Sequence, residues 1–195
     1  MPRFILFLFL TLTFLSTAFG QPSPKKPVAN TKYIYQSILD GIVNYYKRKC
    51  EKISLSQEGE TLYISGTLDE DNRMGIEVSR LKKSYLLGDI NGDNTEDVIG
   101  AVHTEGPGNS YSTDYFVFTK DKGVFTLREV TYEYEMGVSG NCSLDKIKDG
   151  IVYGTTLDWH ETDSRAYPTL KYAIKLKFVK GKIRLINKKY LGRIE

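Results

Sequence analysis

The chain has 195 residues, 27 Lys+Arg against 24 Asp+Glu, and a formal net charge of +3. That length suits one domain or two small ones and can bury a core without disulfide or metal staples. Its ordinary charge and apolar content exclude a disordered, collagen-like or coiled-coil chain, and the near-neutral balance argues against a nucleic-acid binder.

Met1-Pro2-Arg3 places one positive charge ahead of an apolar run from Phe4 to Leu15, interrupted only by Thr11 and Thr13. Ala18 and Gly20 then occupy the small positions that a signal peptidase reads. The pattern predicts an export signal over 1–20, cleaved after Gly20, and hence a secreted or periplasmic protein. A helix of this length rises about 18 Å, too little for a hydrocarbon core of about 30 Å. No later stretch is apolar enough to span a membrane. Residues 21–30 hold Pro22, Pro24 and Pro27 with Lys25 and Lys26 and read as a flexible leader. Residues 31–195 then form one domain.

Within it, Ile34, Ile38 and Ile42 recur every four residues, the spacing of an amphipathic helix over Thr31 to Lys49. Asn30 or Thr31 can cap its start, and Lys47, Arg48 and Lys49 suit its carbonyl end. After Cys50 the period changes to two. Ile53 and Leu55 precede Gln57-Glu58-Gly59-Glu60 and then Leu62 to Ile64, a hairpin pattern. Tyr85 to Gly88 and Val98 to Val102 are short apolar runs around an acidic loop. Tyr115 to Thr119 and Val124 to Val130 flank Asp121-Lys122-Gly123, and Leu170 to Val179 and Ile183 to Ile186 flank Lys180-Gly181-Lys182. Each turn offers a Gly for positive φ. Ile151 to Leu157 is a further strand. The expected class is α+β, one N-terminal amphipathic helix packed on an antiparallel, hairpin-rich β-sheet or sandwich. Cys50 and Cys142 are an even pair in an oxidising compartment, which predicts a bridge between them.

The most specific element is the acidic loop. Asp89, Asn91, Asp93 and Asp97 stand at loop positions 1, 3, 5 and 9, with the Thr95 carbonyl available at position 7. Odd spacing in a tightly curled loop points alternate side chains inward. Three carboxylates, an amide and a carbonyl match the oxygen demand of Ca²⁺, in a structural role. The lack of His and Cys disfavours Zn²⁺. An EF-hand needs Gly at position 6 and Glu at position 12; Asn94 and Gly100 stand there instead, and the flanks are strand-like.

These residues resemble the calcium loop of FG-GAP and VCBS-type blades, which joins two strands and binds Ca²⁺ through carboxylates at these positions. Asn94 replaces the usual Gly. A propeller carries several such loops and this chain has one, so the resemblance covers the loop and not the fold. Residues 84–186 are also similar to uncharacterised secreted bacterial proteins with a GDxNGDxxxD loop, a Gly-rich bend (Glu105 to Ser110) and an aromatic strand (Tyr115 to Phe118). That family implies no particular activity.

Other residues offer alternatives to this loop. His160 with Asp158, Glu161 and Asp163 is the alternative site: a general base with neighbouring carboxylates, as in a small extracytoplasmic hydrolase. No nucleophile motif accompanies it. His103 beside an apolar strand reads as structural. Tyr111, Tyr115, Tyr132 and Tyr134 read as strand residues. Residues 171–195 hold nine Lys+Arg and one Glu, so the C-terminal hairpin, with Lys171, Lys175 and Lys177, can face an anionic glycan, lipid headgroup or acidic partner. The alternative is a set of lysines that guards an edge strand. The sequence favours an exported, calcium-stabilised binding or envelope-structural module over an enzyme, with its ligand unnamed.

Overall fold

The computed structural model describes residues 31–194, apart from 51, 59–60, 68–72, 79–84, 107–109, 140 and 165–166. The expected signal (1–20) and leader (21–30) lie outside the described residues. Helix α1 covers Thr31–Lys49, with Lys47, Arg48 and Lys49 in its last turn. Among the described residues eleven strands follow: β1 (Lys52–Glu58), β2 (Thr61–Thr67), β3 (Arg73–Val78), β4 (Tyr85–Gly88), β5 (Asp97–Gly106), β6 (Ser110–Asp121), β7 (Val124–Tyr132), β8 (Cys142–Lys148), β9 (Ile151–Asp158), β10 (Leu170–Val179) and β11 (Lys182–Arg193). A four-residue helix α2, Glu133–Met136, sits between β7 and β8.

The expected α+β class is therefore corrected. The fold is predominantly β, because two antiparallel sheets carry the described chain and the helical part is one long helix and one turn. A seven-stranded sheet runs β1-β2-β3-β5-β6-β7, with β4 pairing β5 below β3. A four-stranded sheet runs β11-β10-β9-β8.

Period-two alternation gives the large sheet two apolar faces. On one face Val98, Val102, Phe116 and Phe118 meet Ile38, Ile42 and Tyr46 of α1, all fully buried. Burying each aliphatic side chain contributes roughly 1.5–3 kcal/mol. Gly41 lets the helix come close: a Cβ there would lie 2.5 Å from the Phe118 ring. On the other face Ile99, Tyr115 and Val117 meet Val152, Ile174, Leu176 and Ile183 of the four-stranded sheet. Strand β6 is thus covered on both sides, which is why Tyr115-Phe116-Val117-Phe118 reads as an unbroken apolar run.

Two-residue turns fix the hairpin registers. Lys122-Gly123, Asp149-Gly150 and Lys180-Gly181 all have positive φ at both residues, the left-handed geometry whose twist matches flanking strands. The expected Cys50–Cys142 bridge is absent. Both thiols are free: Cys50 follows α1 and lies against Gly66 of β2, whereas Cys142 on β8 packs against the cluster between the two sheets. The two cysteines belong to different layers, a separation that sequence spacing cannot reveal.

Candidate metal centre

The acidic loop leaves β4 at Gly88 and re-enters the sheet as β5 at Asp97, opposite Gly88 in the register. It curls around Asp89. One carboxylate oxygen of Asp89 accepts the N–H groups of Gly92 (2.7 Å) and Asp93 (3.2 Å), and the other accepts that of Asn94 (2.8 Å). The curl needs left-handed backbone at Gly92 (φ 84°) and at Asn94 (φ 63°). Asn takes that conformation more readily than most residues, which explains its standing where calcium loops usually have Gly.

Asn91 Oδ1 accepts the Asp93 N–H at 3.0 Å, and the Asn91 amide donates to Asp93 Oδ2 at 2.8 Å. Asp93 Oδ1 also accepts the Thr95 N–H at 2.8 Å and the Thr95 hydroxyl. Those bonds hold the Asp93 carboxyl below its ordinary range, led by the Thr95 hydroxyl. The Thr95 hydroxyl also reaches the Lys120 carbonyl at 3.0 Å, tying the loop to β6.

Asp97 has a second task that its loop position does not announce. It is fully buried, and its two oxygens accept the N–H groups of Ile90 (3.0 Å) and Lys120 (2.9 Å). One carboxylate therefore clips the loop start to the end of β6. Burial pushes its pKa up and the two N–H donors pull it down; the negative charges of Asp93 and Asp89 push it further up. The three carboxylates feel one another, and a cation between them would relieve that repulsion.

The donor set fits a hard cation. Each carboxylate oxygen carries two lone pairs. After the bonds above, Asp89, Asn91, Asp93 and Asp97 each retain at least one for a further partner, and the set is oxygen only. Among the described residues no three acidic, His or Cys side chains are yet gathered closely enough to share an ion. Asp89, Asn91 and Asp93 are turned to the loop's own groups and Asp97 to Ile90 and Lys120, and closing a cage requires side chains to swing inward.

Beside the loop runs an open cleft of about 490 Å³, with Asp89, Asn91 and Asn94 on one wall and Lys148, Asp149 and Lys177 on the other. Gly88 makes this junction possible, since a Cβ there would lie 2.6 Å from Ile147 of β8.

The alternative cluster is not brought together. The Asp158 carboxylate accepts from the Ser139 hydroxyl at 2.7 Å and pairs with Lys188. Asp163, with its side chain 1% exposed, pairs with Arg193 at 3.0 Å and accepts the N–H of Thr169. It also accepts the backbone N–H of His160, not its ring. Burial raises the Asp163 pKa, but His160 N–H, Thr169 and Arg193 together hold it below the ordinary value. The His160 ring faces Thr162 at 3.0 Å. This segment is a tied loop, and among the described residues no carboxylate bonds the imidazole. His103 meets the Thr113 hydroxyl at 3.2 Å. The sequence reading missed Lys146 and Lys148, which β8 places across β9 from Lys175 and Lys177. The Asp149-Gly150 turn was the signal that could have found that strand.

Compared with protein-family models, with curated proteins and with solved structures, the chain matches none. Among the described residues no helix is long and apolar enough to cross a membrane.

Proposed function

We propose that this protein is an exported β-rich module stabilised by one calcium ion, acting by binding or in envelope structure. Asp89, Asn91, Asp93, Asp97 and the Thr95 carbonyl would hold the ion. The observation that carries this reading is the loop itself. It is an oxygen-only donor set on left-handed turns at Gly92 and Asn94, between two strands paired in register. When bound, calcium would supply positive charge among three mutually repelling carboxylates and pin the β4–β5 connection. Export rests on the 1–20 pattern. The hydrolytic alternative is disfavoured because Asp158 and Asp163 are committed to Lys188, Arg193 and backbone N–H groups.

The test is a thermal melt in calcium and in chelator. Extracellular modules bind calcium at about 10⁻⁴–10⁻³ M. About 1 mM calcium then stabilises by roughly 0.4–1.4 kcal/mol, a rise in Tm of about 1–6 °C. Asp93→Ala should abolish the rise without emptying the core, since Asp93 is exposed. Identical melts of the native protein in both conditions would reject the site.

A further inference from the structure

The four-stranded sheet buries one face and presents the other to solvent. Val152, Ile174, Leu176 and Ile183 point into the inter-sheet core, so their neighbours along each strand point outward. The register then builds rows of outward residues across three strands. One row is Lys148, Ile151, Lys177; the next is Lys146, Tyr153, Lys175. The Lys146 and Lys175 ammonium groups sit 5.4 and 5.6 Å from the Tyr153 ring, which fixes them on one face. Lys171 and Lys189 extend the same face.

Lys146, Lys148, Lys175, Lys177 and Lys189 are exposed, and among the described residues none of the six lysines is ion-paired. Asp145 and Asp149 are the acidic residues of β8 and its turn, and they offset only part of this charge. Edge protection applies to Lys146 and Lys148 on β8 and to Lys189 on β11 but does not explain Lys171, Lys175 and Lys177, because β10 has a paired strand on both sides.

We propose that this face docks on an anionic phospholipid bilayer surface. Lysines two apart on a strand are about 7 Å apart, and those on β8 and β10 are about 10 Å apart across two strand spacings. The charges therefore form a two-dimensional array, and only its Lys148–Lys177 end borders the open cleft beside the acidic loop. A planar anionic surface meets the whole array at once; a single polymer chain meets one row. Attraction of this kind accumulates lysine by lysine and fades beyond a Debye length.

The inference goes beyond the calcium loop and does not need an ion there, so its assay is run in chelator. The protein as exported is sedimented with vesicles of phosphatidylglycerol mixed with phosphatidylcholine, and with phosphatidylcholine alone. Binding is expected to the anionic vesicles only and should be released by high salt. The Lys175→Gln/Lys177→Gln variant should bind about 30-fold more weakly, from a loss of about 1 kcal/mol per lysine. Lys146→Gln/Lys148→Gln should lose a similar amount from a different strand. Lys122→Gln, in the β6–β7 turn of the other sheet, should bind as the native protein does. All these side chains are exposed, and unchanged melts verify that the variants fold. No binding to anionic vesicles, or binding by the two double variants as tight as that of the native protein, would overturn the proposal. So would retention on heparin without vesicle binding, which assigns the face to an anionic polysaccharide.

Discussion

Replacing Asp97 with Ala tests whether this carboxylate clips the loop to β6 independently of any metal. The side chain is fully buried and accepts one N–H from Ile90 and one from Lys120. Removing it strands both donors, at about 1–3 kcal/mol each, or roughly 2–6 kcal/mol together. Part of that is offset because an ionised group no longer has to be buried, the effect that raises its pKa. A net loss of about 3 kcal/mol is expected, which for this chain length lowers Tm by roughly 6–12 °C. Asp97→Asn keeps one carbonyl acceptor and should lose about half as much. Urea denaturation at neutral pH in chelator, with all three proteins, reads the differences without calcium linkage. A loss below about 0.5 kcal/mol for Asp97→Ala, the range of inconsequential surface changes, would refute the clip.

Two further outcomes follow from geometry and charge. Gly154→Ala should cost about 3 kcal/mol or more in urea denaturation, above the usual range of overpacking. The new Cβ would lie 2.2 Å from the Ser143 carbonyl oxygen, so β8 must move. Gly100→Ala should stay near native stability because its nearest neighbour is an Ile38 methyl at 4.0 Å. The pH dependence of stability should contain opposite contributions. The pKa of Asp163 is lowered from 3.8, so its contribution is present above that value and is lost as pH falls through the folded pKa. Asp163→Asn should remove that acid-side loss. Asp97, raised from 3.8, contributes a decline in stability as pH rises through the range just above it. Denaturation curves from pH 2 to 6 for both Asn variants check the two signs.

Much of the local structure was legible because it is set by local chemistry. The Ile34-Ile38-Ile42 spacing gave α1 its bounds, and Lys-Gly pairs marked two of the hairpin turns. Strand β8 was missed for a visible reason. Its core-facing residues are Cys142, Leu144 and Ile147, and the register shift between Leu144 and Lys146 makes the spacing two, then three. A bulge erases the period that announces a strand. That omission and the unnoticed β3 understated how far strands outweigh the single long helix. In the acidic loop, spacing identified the oxygen donors but not the clip by Asp97, because its partner Lys120 lies 23 residues away and across a strand pair. The cysteine pairing failed for the same reason, since distance in space is not written in order along the chain.

Strand β6 forms the wall common to both cores, with Phe116 and Phe118 on the helix side and Tyr115 and Val117 on the other. Neither core can dissolve while its partner stays whole if this strand is to leave. Its amides are therefore reached by solvent only when the entire molecule opens. Hairpin tips such as Lys180-Gly181 sit outside that cooperative unit and can fray without disturbing it.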